Sequence, residues 1–227
     1  MALVFRSRDL AGGLRAPLAF LGAFQGSNNA CGPIAVHLGA EWCRKGPLAK
    51  PALRALLQRG LHAYQEQATS GADLLDVVDV SCSVPGVLHL GGSLAAAAAA
   101  VTADGAATTL EGALHHAIGL LGSNVGFIAL THAGHTVTLL PDWDSGGRLV
   151  ALNYFNFIGN QLYPSGDERA AGRADGFAVK IIQTAGCTLA QRAAAVLHYF
   201  CVRRYDRLGG PPHPHIQFDV FGVEPGA

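Results

Sequence analysis

Residues 22–42 read GAFQGSNNACGPIAVHLGAEW, a run of glutamine, asparagine and cysteine that passes directly into an amphipathic pattern. Ile34, Leu38 and Trp42 recur four apart, the spacing of one helical face, and Pro33 suits a first turn because its missing N–H would have no intrahelical partner. The spacing predicts a helix over 31–44 with Cys31 at its N-terminus and Asn28 or Asn29 as cap. There the unpaired backbone N–H groups and the positive end of the helix dipole favour thiolate over thiol, which makes Cys31 a candidate nucleophile. The competing reading is a packed thiol, since cysteine is among the residues most often buried. Gly32 lets another backbone approach the turn. Gln25 and Asn28 carry amides able to donate to an oxyanion beside the Cys31 N–H, Gln25 being the first choice.

A thiolate that attacks an amide needs an imidazole to move its proton. Of ten histidines, His37, His62, His115, His116 and His198 fall in helical patterns, His213 and His215 lie in a Pro-rich segment, and His89 falls in the stretch from Gly71 to Gly92, which has no clear pattern. His132 and His135 remain, in THAGHTVTLL at a strand junction. If HTVTLL and RLVALNYF form a hairpin about a turn between Asp144 and Ser145, His135 lies opposite Tyr154 and diagonal to Asn153. Asn153 would then fix the imidazole tautomer, and a different bulge would bring Asn156 there instead. Asp142 is about seven residues along the strand, roughly 24 Å away at about 3.4 Å per residue, and belongs to the hairpin tip.

Around this core the chain reads as helices first and strands later. A second helix is expected in KPALRALLQRGLHAYQEQ, where Leu53, Leu57 and Tyr64 share a stripe with Leu56 beside it. DLLDVVDV is a short helix or strand, and SLAAAAAAV is a helix by propensity or a connector. Thr108 and Glu111 have the spacing of a capping box before a helix ending near Gly122. Strands are expected in VGFIALT, HTVTLL, RLVALNYFNF and FAVKII, then a helix in TLAQRAAAVLHYFCVRRY. LGGPPHPH leads to IQFDVF, read as a Pro-rich tail with an edge strand. The pattern is α+β: a helical N-terminal part on a mostly antiparallel sheet, with one domain over 1–208 and a tail over 209–227.

Composition narrows the partners. Half of the 227 residues are apolar, enough for a sizeable core. Lys plus Arg and Asp plus Glu both number 16, so no basic field draws the chain to nucleic acid. Five cysteines without a C-x-x-C pair argue against zinc and a disulfide framework, and for a reducing, cytoplasm-like compartment, including the interior of a host cell. Arg6, Asp9 and Arg15 interrupt the apolar start, so no signal peptide or membrane span is expected, and no cofactor is called for.

The Gln25-x5-Cys31-Gly32 turn followed by Pro33, with Gly134 and His135 starting a strand, resembles the papain-like fold and within it the bacteriocin-processing peptidases. Those peptidases have Asp-Pro where this chain has Asn153 and Tyr154; papain itself uses asparagine as the third residue. NNACGPIAVHLGA, ALRALLQRGLHAYQE and TLEGALHHA…GFIALTHAGHTVTLL…LVALNYFNF are, in that order from Gln25 to Phe157, similar to the herpesvirus large tegument protein deubiquitinases. That family keeps Asp-x-His on the later strand, which LNYFNF lacks, so a relative would have its histidine at His135. The resemblance implies cleavage after the C-terminus of ubiquitin or a ubiquitin-like protein. Its Arg-Gly-Gly tail would meet acidic residues at Asp73, Asp76, Asp79 or Glu66, and the leucines of the second helix would form an apolar partner patch. A cysteine endopeptidase acting on a polyprotein or leader peptide, an acyl transferase, and a non-catalytic ubiquitin-binding or structural domain are the alternatives.

Overall fold

A computed structural model describes residues 18–22, 29–46, 48, 50–69, 74–96, 110–122, 124–132, 135–143, 145–146, 149–158, 177–182 and 215–226. In chain order they form β1 (Leu18–Gly22), α1 (Cys31–Lys45), α2 (Lys50–Gln67), α3 (Val77–Cys82), β2 (Val87–Ala96), α4 (Leu110–Leu121), β3 (Gly126–His132), β4 (His135–Trp143), β5 (Leu149–Ile158), β6 (Phe177–Ile182) and β7 (His215–Val223). The strands make one seven-stranded sheet in the order β1-β6-β5-β4-β3-β7-β2, with antiparallel neighbours throughout. This is the expected α+β arrangement, N-terminal helices on an antiparallel sheet.

The expected helix starts at Cys31, and its cap is Ala30 rather than an asparagine, so no side chain caps the first turn. At the other end Arg44 and Lys45 sit by the negative pole of the dipole, and Gly46, at φ 72°, closes the helix with its N–H on the Trp42 carbonyl. Ile34 and Leu38 of α1 join Leu53, Leu56, Leu57 and Tyr64 of α2 and Phe127, Ala129, Leu140 and Phe221 of the sheet in one core. Each such aliphatic or aromatic side chain contributes roughly 1.5–3 kcal/mol on burial. The leucine stripe of α2 is thus committed to the core, which corrects its expected role as a partner patch. The sheet's other face carries Ile128, Leu130, Val137, Leu139, Phe218 and Val220, all buried, and α4 packs against β2, β7 and β3.

Two strand assignments differ from the sequence reading. IQFDVF belongs to β7, which pairs with β3 on one side and β2 on the other, so the C-terminal segment is an interior strand and not an edge on a surface tail. Its Ile216, Phe218, Val220 and Phe221 are buried because both faces of the sheet are covered there. Ser93 to Ala96, expected as helix or connector, extend β2 against β7 as far as the pair Ala96–His215; pairing in the ladder overrides the intrinsic helical preference of alanine. Thr108 and the helix expected at 188–205 lie outside the described residues, as do Cys187 and Cys201.

Two glycines set how closely the layers approach. A Cβ on Gly39 would fall 2.2 Å from the Phe127 ring, and one on Gly60 would fall 2.6 Å from Ile34 Cγ1 and 2.8 Å from its Cα. On an open helix face Gly→Ala stabilises by up to about 1 kcal/mol. Here the sign should reverse: Gly60→Ala, which meets backbone, is expected to destabilise by about 1–3 kcal/mol, read as a lowered urea midpoint with an unchanged slope. An unchanged or raised midpoint would show that the two helices can separate freely.

Candidate active site

Cys31 occupies the first turn of α1, half-buried. A Cβ on the neighbouring Gly32 would lie 3.1 Å from the Leu75 carbonyl oxygen, so the turn rests against the segment leading into α3. That segment is fixed in turn by Asp76, whose carboxylate accepts the Val78 N–H at 2.7 Å and caps α3. On the sheet side, Thr138 Oγ1 donates to the Ala35 carbonyl at 2.9 Å, joining α1 to β4. The Thr136 N–H donates to Cys31 Sγ at 3.4 Å.

That last contact falls where the sheet opens. The β4–β5 ladder ends at Thr138–Phe155, although β4 begins at His135 and β5 continues to Ile158, paired there with β6. Beyond Thr138 the only ladder partner of β4 among the described residues is therefore β3, through Val137–Leu130, Thr136–Thr131 and His135–His132. The sulfur takes an N–H in the opening, among donors that stabilise negative charge on it: this N–H and the uncapped first turn of the helix. His135 directly precedes the donor, and backbone dimensions put its Cα within about 6 Å of Sγ.

The hairpin register differs from the expected one by four residues. Tyr154 pairs with Leu139, and Asn153 with Leu140. The chain turns at Ser145 and Gly146 instead of between Asp144 and Ser145, with a bulge between Asp142 and Trp143; DWDSGG holds two turn signals, and the later one is used. Asn153 is thus five strand positions from His135 along β4, roughly 17 Å at about 3.4 Å per residue, and cannot orient its imidazole. Asn156 is the first β5 residue past the last β4 pair and stands at the opening itself. Gln25 and Asn28, the expected oxyanion donors, lie outside the described residues.

The other expected contacts have local roles. Glu66 pairs with His62 at 3.2 Å on exposed α2, Asp76 caps α3, and Asp79 is exposed; Asp73 lies outside the described residues. Burial, then Arg59, lowers the pKa of His37, whose Nε2 has no hydrogen-bond partner among the described residues. Burial pushes the Cys43 thiol up to about 12, which makes it inert, whereas Cys82 is exposed. No group of three or more His, Cys, Asp or Glu able to hold a metal occurs among the described residues, and no described helix is long and apolar enough to cross a membrane.

Sequence reasoning missed the polar residues on the helix-facing side of the sheet. Thr131 and Thr136 join their hydroxyls at 3.0 Å across β3 and β4. On β7, buried Asp219 meets His89 Nε2 at 3.3 Å and accepts from Gln217 Nε2 at 2.8 Å. The signal for Asp219 was an acid within the otherwise apolar alternation of IQFDVF, readable only once β7 is known to be interior.

No protein-family model matches the sequence, and no curated protein matches it. Among solved structures the chain is similar to the ubiquitin-specific protease encoded by murine cytomegalovirus tegument protein M48, in a complex with a ubiquitin-based suicide substrate. The identity is 14% and the TM-score 0.48, over 85% of this chain and 77% of that one.

Burial raises the pKa of Asp219, against the lowering influence of His89 and the Gln217 hydrogen bond. The folded chain therefore holds this proton more tightly than the unfolded one, so stability is gained as pH falls through the folded value and is absent above it. The unfolding free energy of wild type minus that of Asp219→Asn is expected to rise as pH is lowered from neutral towards about 4. A difference that falls with acidification would mean that the His89 pair dominates instead.

Proposed function

We propose that the chain is a thiol-dependent peptidase of papain-like architecture, with Cys31 as nucleophile and His135 as its acid–base partner. The observation that carries this reading is the Thr136 N–H on Cys31 Sγ at the point where β4 and β5 part. It brings a helix-terminal thiol beside the backbone of a histidine that begins a strand, where the β4–β5 ladder has ended.

In the reaction the Cys31 thiolate attacks a substrate carbonyl carbon, and the oxyanion is met by the Cys31 N–H and the Gln25 side-chain amide, with Asn28 as the alternative donor. The His135 imidazolium protonates the departing amine as the C–N bond breaks, leaving a thioester on sulfur. Water then adds to the thioester while His135 takes its proton, and the acid leaves with the thiolate restored. We assign the orienting role to Asn156 rather than Asn153, because Asn156 directly follows the last β5 residue paired with β4, whereas Asn153 pairs with Leu140. Such a nucleophile works only as a free thiol, so the activity belongs in a reducing compartment.

For the substrate we favour the C-terminus of ubiquitin or a ubiquitin-like protein, cleaved from an amine. The support is the order of motifs from Gln25 to Phe157; a polyprotein or leader peptide would use the same chemistry. One observation favours a non-catalytic binding domain as the second reading. Thr138 faces α1, so strict strand alternation would send the His135 side chain to the other side of the sheet. The peptidase reading requires the His135 imidazole to reach the Cys31 sulfur.

The test is incubation of the purified chain with ubiquitin bearing a C-terminal thiol-reactive electrophile, followed by intact mass. The expected result is one adduct that is lost in Cys31→Ala and slowed in His135→Ala. Asn156→Ala should slow turnover of a ubiquitin–amide substrate and Asn153→Ala should not, while Gln25→Ala should cost about 3 to 4 kcal/mol in activation energy. Rapid alkylation of Cys31 without a ubiquitin adduct would retain the peptidase and discard ubiquitin. Slow alkylation would favour the binding domain.

A further inference from the structure

We infer that Thr131 is a positioning residue for the nucleophile: its hydroxyl, bonded to that of Thr136, holds the start of β4 so that the Thr136 N–H points at the Cys31 sulfur. The inference rests on the reading of Cys31 as nucleophile, and it assigns a role to a side chain on a strand that contributes no reacting group.

Lateral support explains why the bond matters. A strand residue inside a sheet is held from both sides, but His135, Thr136 and Val137 are past the last β5 pair and, among the described residues, have β3 as their ladder partner. Their last two pairs are Thr131–Thr136 and His132–His135, next to the hairpin tip. At the first of these the hydroxyls lie 3.0 Å apart, with Thr136 buried and Thr131 half-buried. Threonine is stiff about χ1, so this bond fixes the backbone of each residue as well as its side chain. The Thr136 N–H and hydroxyl thus serve different neighbours, the N–H the sulfur on α1 and the hydroxyl its cross-strand partner on β3. A start of β4 that pivots loosens the N–H···S contact and displaces His135, its neighbour in the chain, at the same time.

The consequence is electrostatic. A backbone N–H aimed at sulfur stabilises the anion more than the thiol, so losing its aim lowers the thiolate fraction at a given pH. A net hydrogen-bond effect of the usual size corresponds to a shift of about half to one pH unit in the ionisation midpoint. At pH values below that midpoint the cysteine, with its smaller thiolate fraction, is alkylated up to about three- to ten-fold more slowly.

The experiment measures iodoacetamide alkylation of the full chain from pH 5 to 10, as an approximate range spanning thiol ionisation, with each cysteine followed by peptide mass. Thr131→Val removes the hydroxyl at nearly constant volume, and Thr131→Ser restores it. Thr136→Val breaks the same bond from the other strand while keeping the N–H, so either folded valine variant decides the matter. Exposed Cys82 is the internal standard, and half-buried Cys43, whose thiol burial pushes up to about 12, reports unfolding. The expected result is a Cys31 profile displaced upward by about half to one pH unit in the valine variants and returned by serine, with Cys82 unmoved. Profiles that superimpose on a fast wild-type Cys31, or a serine variant that behaves like valine, overturn the positioning role and leave the nucleophile standing. A wild-type Cys31 no faster than Cys82 overturns the nucleophile, and this inference with it.

Discussion

The Phe127 ring lies against Gly39 with no room for a side chain between them, and this contact sets the separation of α1 from the sheet. Gly39 is eight residues, or about 12 Å, along the helix from Cys31, and Thr138 ties Ala35 to β4 between the two. With the axis fixed at both places, the start of the helix is carried to the start of β4. Gly60 against Ile34 does the same from behind, letting α2 press α1 onto the strands. The placement of the thiol is therefore a product of core packing, made by residues that take no part in any chemistry.

The three described cysteines show how position decides what a thiol can do. Cys43, on the last turns of the same helix, is desolvated and held in its neutral form. Cys82 is exposed at the end of α3, its Sγ donating to the Val78 carbonyl. Cys31 alone among them combines a helix N-terminus with an N–H donor from another element. It lies where the β4–β5 ladder has ended while β5 continues against β6.

Much of this could be read locally. The periodicity of Ile34, Leu38 and Trp42 located α1, the leucines of α2 marked a buried face, and VGFIALT, HTVTLL and FAVKII each became strands. The errors came where local pattern is silent about partners. IQFDVF looked like a tail because its flanks are rich in proline and glycine, yet its alternation is equally that of an interior strand. SLAAAAAAV looked helical because alanine was the only information in it. DWDSGG offered two turns of comparable merit, and choosing the earlier one moved Asn153 by four positions in the ladder, replacing Asn156 at the opening.

The sequence by itself determined that Cys31 begins a helix, that His135 begins a strand and that the chain has the apolar material for two covered faces of a sheet, because these follow from spacings of a few residues. Only the tertiary structure decided that Asn153 pairs with Leu140, that β7 is interior, and that Thr131, Thr136, His89 and Asp219 form polar contacts across strands. Those depend on register and strand order, which are settled by pairing between segments far apart in the chain. A slip in pairing changes every cross-strand neighbour while leaving the local pattern unaltered.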